Sequence, residues 1–577
     1  MSPDDNFDDN SVSAPAQQIV PLSRFRAALA RAKTIRRADA ILAAPDADRL
    51  IPTLPVQDLY FAIKDVGLAD AEELVGMATP EQLQGFFDLD TWKGDELSVD
   101  HMRPWIEILA NHGFEKLAEI VEAVDPELIA LYVQKQATVY DLTQDEVPEE
   151  PEGRFHPTPD TFYLLDIRAE GEDGKALERF VDHLYRADLS LAKRVMMSAR
   201  WEIASDLEEW AFRFRSGRMA DMGFPDPSEA MVIYRPIALG TVKIPDEGDL
   251  ATPHAGSVVV PGTALPALIA DGIDPSSLLG LALASLTSDK ELERCHAELV
   301  TLFNRAIAAD RIEPADVAAA RRVLDDVVAY VGLGLEFLIR GDADPQARAG
   351  KALLTVPFER IFRTGFSLTA SLGRLAETLH LRGRVRLGEP PTLLLEGRHR
   401  DVVSALRGVG TRGRRPQMAR LLDSPPGQGT RPFRSAADIR LAASALESAS
   451  RVPVFFFDDL GLASSSAGEA AASSPGVTFG TLARTLAVRA LLDPKILDGE
   501  AAFELSPLRP PEVGAVLSRL VDRALVPDDM ASIGAAVSAR LQRRKRTAPT
   551  ELEQWFSEWF ANLGARVAEV DGLYITA

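Results

Sequence analysis

The sequence predicts a mainly α-helical, multi-domain protein with a helical repeat near its N-terminus. Three stretches start alike: TLPVQDLYFAIKDV at 53–66, ATPEQLQGFF at 78–87 and VDPELIALYV at 124–133. Each places a proline before apolar residues at helical spacing. Helices of about two to four turns are marginal alone and are stabilised by packing on neighbours, as in a helical solenoid. We therefore expect residues 45–140 to form at least five short stacked helices and no sheet.

Helix starts within the repeat carry recognisable signals. Proline suits the first helical position because the N–H that it lacks would have no partner there. The prolines expected in this role are Pro55, Pro80 and Pro126. Thr79 and Gln82 have the spacing of a capping box, and Asp70 and Glu73 repeat that spacing. Asp125 is placed to cap the third helix.

Composition shifts along the chain divide it into segments. The expected order is an acidic tail at 1–20, a helical superhelical domain at 21–142, a linker at 143–160, a central mostly helical domain at 161–270, a helical domain with a basic loop at 271–422, a linker at 423–435 and a C-terminal helical domain at 436–577. The linkers are rich in proline. Residues 231–261 carry β-branched residues broken by Gly and Pro, which allows a small β element there.

Charge and cysteine content narrow the classes of function. The 577 residues carry 63 Lys plus Arg against 86 Asp plus Glu, for a net charge of −23. Such a charge opposes general binding to DNA or anionic lipid. The apolar run at 327–339 is interrupted by Glu336 and is shorter than a spanning helix, so no membrane insertion is expected. With one cysteine and no signal sequence at 1–20, we expect a cytoplasmic protein.

Residue patterns that support catalysis are sparse. The eight histidines contain no HExxH pattern. Cys295 and His296 are adjacent, and adjacent residues on a helix point about 100° apart. Asp458 and Asp459 follow the apolar VPVFFF, where they either hold a metal at a strand end or cap that strand. We expect no cofactor, and the metal question stays open.

One glycine pattern matches a cofactor motif. Residues 408–413 read GVGTRG, a literal GxGxxG. A dinucleotide loop follows a strand and opens a helix. Here the helical pattern RDVVSALRGVG precedes the glycines, which indicates the end of a helix and an open loop.

Two groups of aromatic residues stand at helical spacing. The first comprises Trp201, Trp210, Phe212 and Phe214 among arginines, and the second comprises Trp555, Phe556, Trp559 and Phe560. Interleaved Arg and aromatic residues stack on nucleobases in some proteins. Helical spacing favours a core stripe for both groups.

The segment 382–440 is strongly basic. It contains 13 arginines and 5 acids, a net charge of +8. Arginine suits bidentate contacts to carboxylates and phosphates. The candidate anion-binding residues are Arg407, Arg412, Arg414 and Arg415. Either this segment docks on the protein's own acidic surface, or it is exposed and binds a polyanion such as nucleic acid.

Two resemblances accompany these patterns. Segments LPVQDLYFAIKDV, ADAEELVGM, TPEQLQGFF and VDPELIALYV resemble the cytosolic N-terminal superhelical domain of bacterial magnesium transporters, over roughly residues 45–140. This resemblance implies a helical superhelix and raises Mg²⁺ sensing as a hypothesis. Segments 213–236 and 356–369 resemble a large, mostly helical bacterial family of unknown function, which implies no activity.

The sequence is most consistent with a scaffold or regulatory adaptor. A solenoid offers a concave surface suited to a protein partner. An enzyme whose site is assembled from distant residues is the alternative, together with anion or nucleic-acid binding through the Arg-rich segment.

Overall fold

The computed structural model describes most of the chain, and what it describes is mainly helical. The described residues are 41–44, 46–112, 116, 118, 124–245, 272–286, 288–387, 394–410, 412–473, 476–521, 527–561, 563, 567 and 573–575. The predicted mainly α-helical fold is confirmed. In the same ranges, none of the helices combines the length and apolar composition that a bilayer crossing needs.

The chain forms two compact units, and each takes two pieces of sequence. Unit 1 consists of Met1–Val232 and Ala251–Asp325, and unit 2 consists of Ile233–Leu250 and Asp326–Ala577. These units are coarser than the segments predicted from composition, which stay predictions.

Unit 1 contains twelve complete helices among its described residues, with five short strands. The helices are α1 (Ala47–Leu50), α2 (Val56–Val66), α3 (Glu72–Met77), α4 (Pro80–Asp90), α5 (Val99–Asn111), α6 (Pro126–Gln136), α7 (Gly171–Ala187), α8 (Leu189–Trp201), α9 (Ala204–Asp221), α10 (Pro227–Ala230), α11 (Leu278–Ala284) and α12 (Asp289–Ala309). The strands are β1 (Trp92–Lys93), β2 (Glu96–Leu97), β3 (Ala137–Asp141), β4 (Arg154–Pro157) and β5 (Tyr163–Ile167). Helix α6 packs against both α8 and α9, and α7 packs against α5 and α8.

Unit 2 is also helical in its described part, with one small sheet. Helix α13 (Val317–Leu338) contains the boundary at 325/326. The remaining elements are α14 (Pro345–Thr355), α15 (Phe358–Leu387), α16 (Gly397–Leu406), β6 (Met418–Ala419), β7 (Thr430–Arg431), α17 (Ala436–Val454), α18 (Ser464–Ser473), α19 (Phe479–Leu492), α20 (Pro510–Val521), α21 (Pro527–Arg543) and α22 (Leu552–Phe560). Helix α15 packs on α16, α17 and α18, while α19 packs on α20, α21 and α22.

The helix start predicted at Pro80 is confirmed in detail. Thr79 Oγ1 accepts a hydrogen bond from the Gln82 N–H at 3.2 Å, and Gln82 Oε1 accepts one from the Thr79 N–H at 2.8 Å. This reciprocal pair is a capping box, with Pro80 at the first helical position. The Gln82 amide also donates to two carbonyls that precede α2. The cap therefore fixes the entry to α4 and ties it to the preceding turn.

Of the other predicted helix starts, the one at Pro126 is confirmed, because α6 begins at that residue, and the rest are wrong in detail. Helix α2 begins at Val56, so Pro55 is its N-cap residue rather than its first residue. Helix α3 begins at Glu72 after Ala71 and has no side-chain cap, so the box predicted from Asp70 and Glu73 does not form. Asp125 precedes α6 without capping it, because its carboxylate binds an arginine instead.

A buried polar network joins three helices of the repeat. Asp90, at the end of α4, accepts hydrogen bonds from Tyr60 Oη (3.0 Å), Lys64 Nζ (2.9 Å) and Trp105 Nε1 (2.6 Å). These donors lie on α2 and α5. Buried carboxylates are costly unless they are paired and hydrogen-bonded, as this one is. The network fixes α2, α4 and α5 against one another.

The expectation of no sheet over residues 45–140 is wrong. Strands β1 and β2 form an antiparallel hairpin, and β3 pairs with β5 in a three-stranded antiparallel sheet of order β3-β5-β4. Strand β4 lies in the segment 143–160 and β7 in 423–435, so neither segment is a plain linker throughout. The pairing of β3 with β5 is nonlocal, and the strands of the β1–β2 hairpin have only two residues each, so neither leaves a periodic signal in the sequence.

Two extended elements expected from β-branched and aromatic residues are helical or turn-like. The described part of the 231–261 segment, residues 231–245, has a 3-10 turn at Met231–Tyr234 and no strand. The remaining residues of that segment, 246–261, lie outside the described ranges. VPVFFF continues α17 and passes into a π-helical turn at Phe455–Asp459. Asp458 and Asp459 therefore do not follow a strand.

Candidate functional site

Two of the candidate anion-binding arginines contact acids of unit 2. Arg407, which follows α16, donates from Nε to Glu377 Oε2 at 2.7 Å and lowers the pKa of that carboxyl. Arg415 is 5% exposed, lies 3.4 Å from Asp326 and stacks 3.9 Å from the centre of the Tyr234 ring. Burial lowers the pKa of Arg415. Both side chains thus serve contacts within the unit.

The other two candidates differ. Arg414 is exposed and has a φ of 51°, and Arg412 opens the same 3-10 turn, Arg412–Arg414. The side chain of Arg412 lies outside the described part. The structure therefore brings Arg407 and Arg415 onto acidic partners and leaves Arg414 in solvent. Anion binding by the four stays a prediction.

The glycine motif ends a helix, as the sequence indicates. Helix α16 stops at Leu406, and Gly408, Gly410 and Gly413 all have positive φ. A Cβ on Gly408 would lie 2.4 Å from the carbonyl carbon of Arg414. The loop therefore folds closely on itself, and no strand precedes it as a dinucleotide loop requires.

Cys295 and His296 do not resemble a nucleophile and base. Burial raises the pKa of the Cys295 thiol to about 12, and burial lowers the pKa of His296 to about 4. A reactive cysteine needs a thiolate at neutral pH, which this environment disfavours.

A serine–histidine contact that sequence reasoning missed lies in unit 2. His399 Nε2 is 3.2 Å from Ser448 Oγ, although 49 residues separate them. A catalytic triad also needs an acid on the other ring nitrogen. Among the described residues no carboxylate is hydrogen-bonded to His399, and the ring edge instead meets Trp555, with centroids 6.4 Å apart. The contact has the features of a packed, hydrogen-bonded histidine.

The acids after VPVFFF are engaged by arginines. Asp459 lies 3.7 Å from Arg546, and burial raises the pKa of Asp459. Arg544 donates to the main-chain carbonyls of Asp458 and Asp459. Within the described ranges, no three His, Cys, Asp or Glu side chains cluster as metal ligands would.

Five large apolar side chains on or beside α8 and α9 of unit 1 are exposed to solvent. Trp201 is 52% exposed, Trp210 49% and Phe214 43%, with Met197 and Ile203 also exposed. Met197 and Trp201 are four residues apart on α8; Ile203, Trp210 and Phe214 follow at helical spacing along α9. We call these five residues the aromatic face. The core-stripe interpretation is therefore wrong for Trp201, Trp210 and Phe214.

The remaining aromatic residues of both groups behave differently. Phe212 is half-buried against Trp92, with ring centroids 5.8 Å apart. Trp555 and Trp559 are buried in unit 2 and pack on each other at 5.8 Å, as the core interpretation expects. Trp201 also ends α8, so the first group spans two helices and not one.

A second apolar feature lies among the described residues of unit 2. A trough of about 510 Å³ runs between α15 and α17 and is lined mainly by leucine and phenylalanine side chains, with Arg382 and Glu447 among the lining residues. We call it the apolar trough. The lining residues Leu372 and Phe479 are 107 positions apart in the sequence. No local sequence pattern therefore predicts the trough.

Comparison with protein families identifies a matching family. The model of a family of unknown function, DUF6178, matches residues 14–575. The chain belongs to this family. The resemblance of segments 213–236 and 356–369 to such a family is thereby confirmed at the level of family membership. Neither the curated proteins nor the solved structures contain a match. The resemblance of residues 45–140 to magnesium transporters finds no support in these comparisons.

Proposed function

We propose that this protein is a cytoplasmic scaffold or regulatory adaptor that binds a protein partner through the aromatic face of unit 1. The observation that supports the proposal is the exposure of two tryptophans and a phenylalanine on adjacent helices. Tryptophan, tyrosine and arginine dominate the binding energy of protein interfaces. Tryptophans left half in water on a folded unit are therefore suited to an interface.

Trp210 and Phe214 lie side by side, with ring centroids 6.3 Å apart, and Trp201 is exposed at the end of the preceding helix. Each aromatic side chain buries about 150–250 Å² when covered, so the three half-exposed rings together offer a partner roughly 300 Å².

Arginines border the face and indicate the chemistry of the partner. The Arg200 guanidinium lies 4.5 Å from the centre of the Trp201 ring, and that of Arg213 lies 5.7 Å from Trp210. Interface cores are rich in aromatic residues and Arg, and their rims are polar. We infer that the partner presents an apolar surface, such as an amphipathic helix, with an acidic residue opposite Arg213, since the Arg200 guanidinium is already paired with Asp145 at 2.6 Å.

The test is affinity capture from the native cell with a matched pair of variants. Trp201→Ser/Trp210→Ser/Phe214→Ser removes the rings from the face. Leu381→Ser/Leu441→Ser, at positions 47% and 50% exposed in unit 2, is the control for surface apolarity. Because the substituted side chains of both variants are about half exposed, both variants should fold normally.

The expected result is a partner that the unmodified chain and the control retain and the triple variant loses. The purified partner should then bind the unmodified chain at least about tenfold more tightly than it binds the triple variant, a difference of about 1.4 kcal/mol. Retention of every partner by the triple variant would refute this role for the aromatic face.

A second candidate function, polyanion binding, is favoured by exposed arginines of the Arg-rich segment. Arg398, Arg414 and Arg434 are all exposed. Binding to duplex DNA or heparin should then weaken with salt, by a slope near −0.9 per phosphate neutralised on duplex DNA. A titration at about 50 mM salt without any binding would exclude it.

A further inference from the structure

The apolar trough of unit 2 has the form of a small-molecule site. Its volume of about 510 Å³ lies within the range of roughly 300–1,000 Å³ typical of ligand pockets. One wall is the face of α15 that carries Leu372, Leu375 and Leu379, and another is α17. Phe457 and Phe479 add aromatic rings to the lining. The occupant must therefore be mainly hydrocarbon.

The trough is elongated because its lining follows both helices along their axes. Lining residues run from Leu372 to Arg382 on α15 and from Ala443 to Val454 on α17. An α-helix rises about 1.5 Å per residue, so each wall is about 15 Å long. An extended chain advances about 3.6 Å over three bonds, so about 15 Å accommodates roughly 12 bonds.

One end of the α15 wall is cationic. Arg382 is the last lining residue on that helix, is exposed, and has no ion pair within the described part of the chain. Glu447, the acid of the lining, shares Arg451 with Glu551, at 3.4 and 3.3 Å. Arg382 thus presents to the trough a guanidinium without an ionic partner among the described residues, a group suited to carboxylate or phosphate.

We propose that the apolar trough binds a single-chain anionic amphiphile of about 12 carbons, with its chain along Leu372, Leu375 and Leu379 and its headgroup on Arg382. Fatty carboxylates and alkyl phosphates share the required chemistry.

The experiment is a fluorescence titration of the full chain with 11-(dansylamino)undecanoate. It is followed by displacement with dodecanoate or dodecyl phosphate below their micelle concentrations, or with dodecanol below its solubility limit. The probe should brighten on saturable binding. An anionic headgroup makes charge-assisted hydrogen bonds to Arg382, so dodecanol should displace the probe about tenfold less well than the anions do. The ratio of dodecanoate to dodecyl phosphate then distinguishes the two sources of the ligand.

Matched variants locate the site. Leu375 is 59% exposed and lines the trough, whereas Leu441 is 50% exposed on α17 and lies outside the lining. Leu375→Glu should abolish probe binding, and Leu441→Glu should leave it unchanged. Arg382→Gln should weaken dodecanoate about tenfold and leave dodecanol unaffected.

Three outcomes would overturn the proposal. One is no saturable binding of the probe by the unmodified chain, and another is equal binding by the Leu375→Glu and Leu441→Glu variants. The third is displacement by an amphipathic peptide helix but not by dodecanoate, which would assign the trough to a protein partner.

Discussion

Replacing Arg218 by methionine is expected to destabilise unit 1 by about 3–5 kcal/mol, the usual cost of removing one partner from a buried ion pair. The Arg218 guanidinium donates two hydrogen bonds to Asp88, at 2.6 and 2.9 Å, and two to Asp125, at 3.1 and 2.7 Å. The Asp88 side chain is 0% exposed and that of Asp125 is 19% exposed. Without Arg218, the Asp88 carboxylate loses this bidentate cationic partner in a buried site.

The destabilisation should depend on pH with a defined sign. Burial raises the pKa of Asp88 above its ordinary value, and Arg218 opposes this rise. Loss of Arg218 should therefore raise the folded-state pKa further. An acid whose folded pKa exceeds its unfolded value of about 3.9 loses stability as the pH rises through the folded pKa. The deficit should be larger at pH 8 than at pH 5.

Hydrogen exchange of the amides in α4 and α9 measures this effect within unit 1. Lys175→Met is the control, because Lys175 pairs with Glu172 at 2.7 Å with both side chains largely exposed, and such pairs contribute about 0–1 kcal/mol. Asp88→Asn/Arg218→Met should be more stable than Arg218→Met, since no charge remains at position 88. A loss below about 1 kcal/mol for Arg218→Met, or a double variant that is worse, would refute the reasoning.

Three further predictions concern single positions. Burial lowers the pKa of His296 to about 4, against about 6.5 in the unfolded chain. The contribution of the neutral histidine to the stability of the fold is therefore fully present above pH 6.5 and is lost as the pH falls towards 4. Unfolding at pH 7 and 5 should show about 2 kcal/mol of pH dependence that His296→Asn removes; an unchanged dependence would place the histidine in water. Leu83→Ala should lower the free energy of unfolding, measured by denaturant titration, by about 2–5 kcal/mol, because Leu83 is fully buried. Pro80→Ala should lower it by less than about 1 kcal/mol. Equal losses for the two variants would contradict the placement of Pro80 at the first position of α4. Arg415→Met should destabilise unit 2 by about 3 kcal/mol. Arg414→Gln should change the free energy of unfolding by less than about 0.5 kcal/mol and reduce the salt slope of any duplex-DNA binding by about 1. A larger loss for Arg414→Gln than for Arg415→Met in thermal unfolding would contradict the buried position of Arg415 and the exposed position of Arg414.

The features that the sequence predicts correctly are those set by residues close together in the chain. The Thr79–Gln82 capping box needs residues only three apart, and the spacing alone specifies it. The end of α16 at Leu406, just before the glycine motif, likewise depends on one short stretch. The box expected from Asp70 and Glu73 has the same spacing and does not form, because α3 begins at Glu72, two residues after Asp70.

Nonlocal features escaped prediction for a common reason. Strand β3 follows α6 without a break, and its partner β5 lies beyond the acidic segment 143–160. The apolar trough is assembled from residues 372 to 479. For the aromatic face, helical spacing predicts which residues lie on the same side of α9. It does not predict whether that side is buried against another part of the protein or exposed to solvent.

The interleaved order of the two units has a consequence for synthesis on the ribosome. Unit 1 needs Ala251–Asp325 in addition to Met1–Val232, and unit 2 needs Ile233–Leu250 in addition to the C-terminal half. At about 5–20 residues per second, Asp325 is added about 5–20 s after Val232. Tyr234 is made well before Arg415, whose guanidinium covers its ring. Nascent chains stalled at residue 232 should therefore be more sensitive to protease than chains stalled beyond 325, and the ring of Tyr234 stays uncovered by Arg415 while nearly a third of the polypeptide is synthesised.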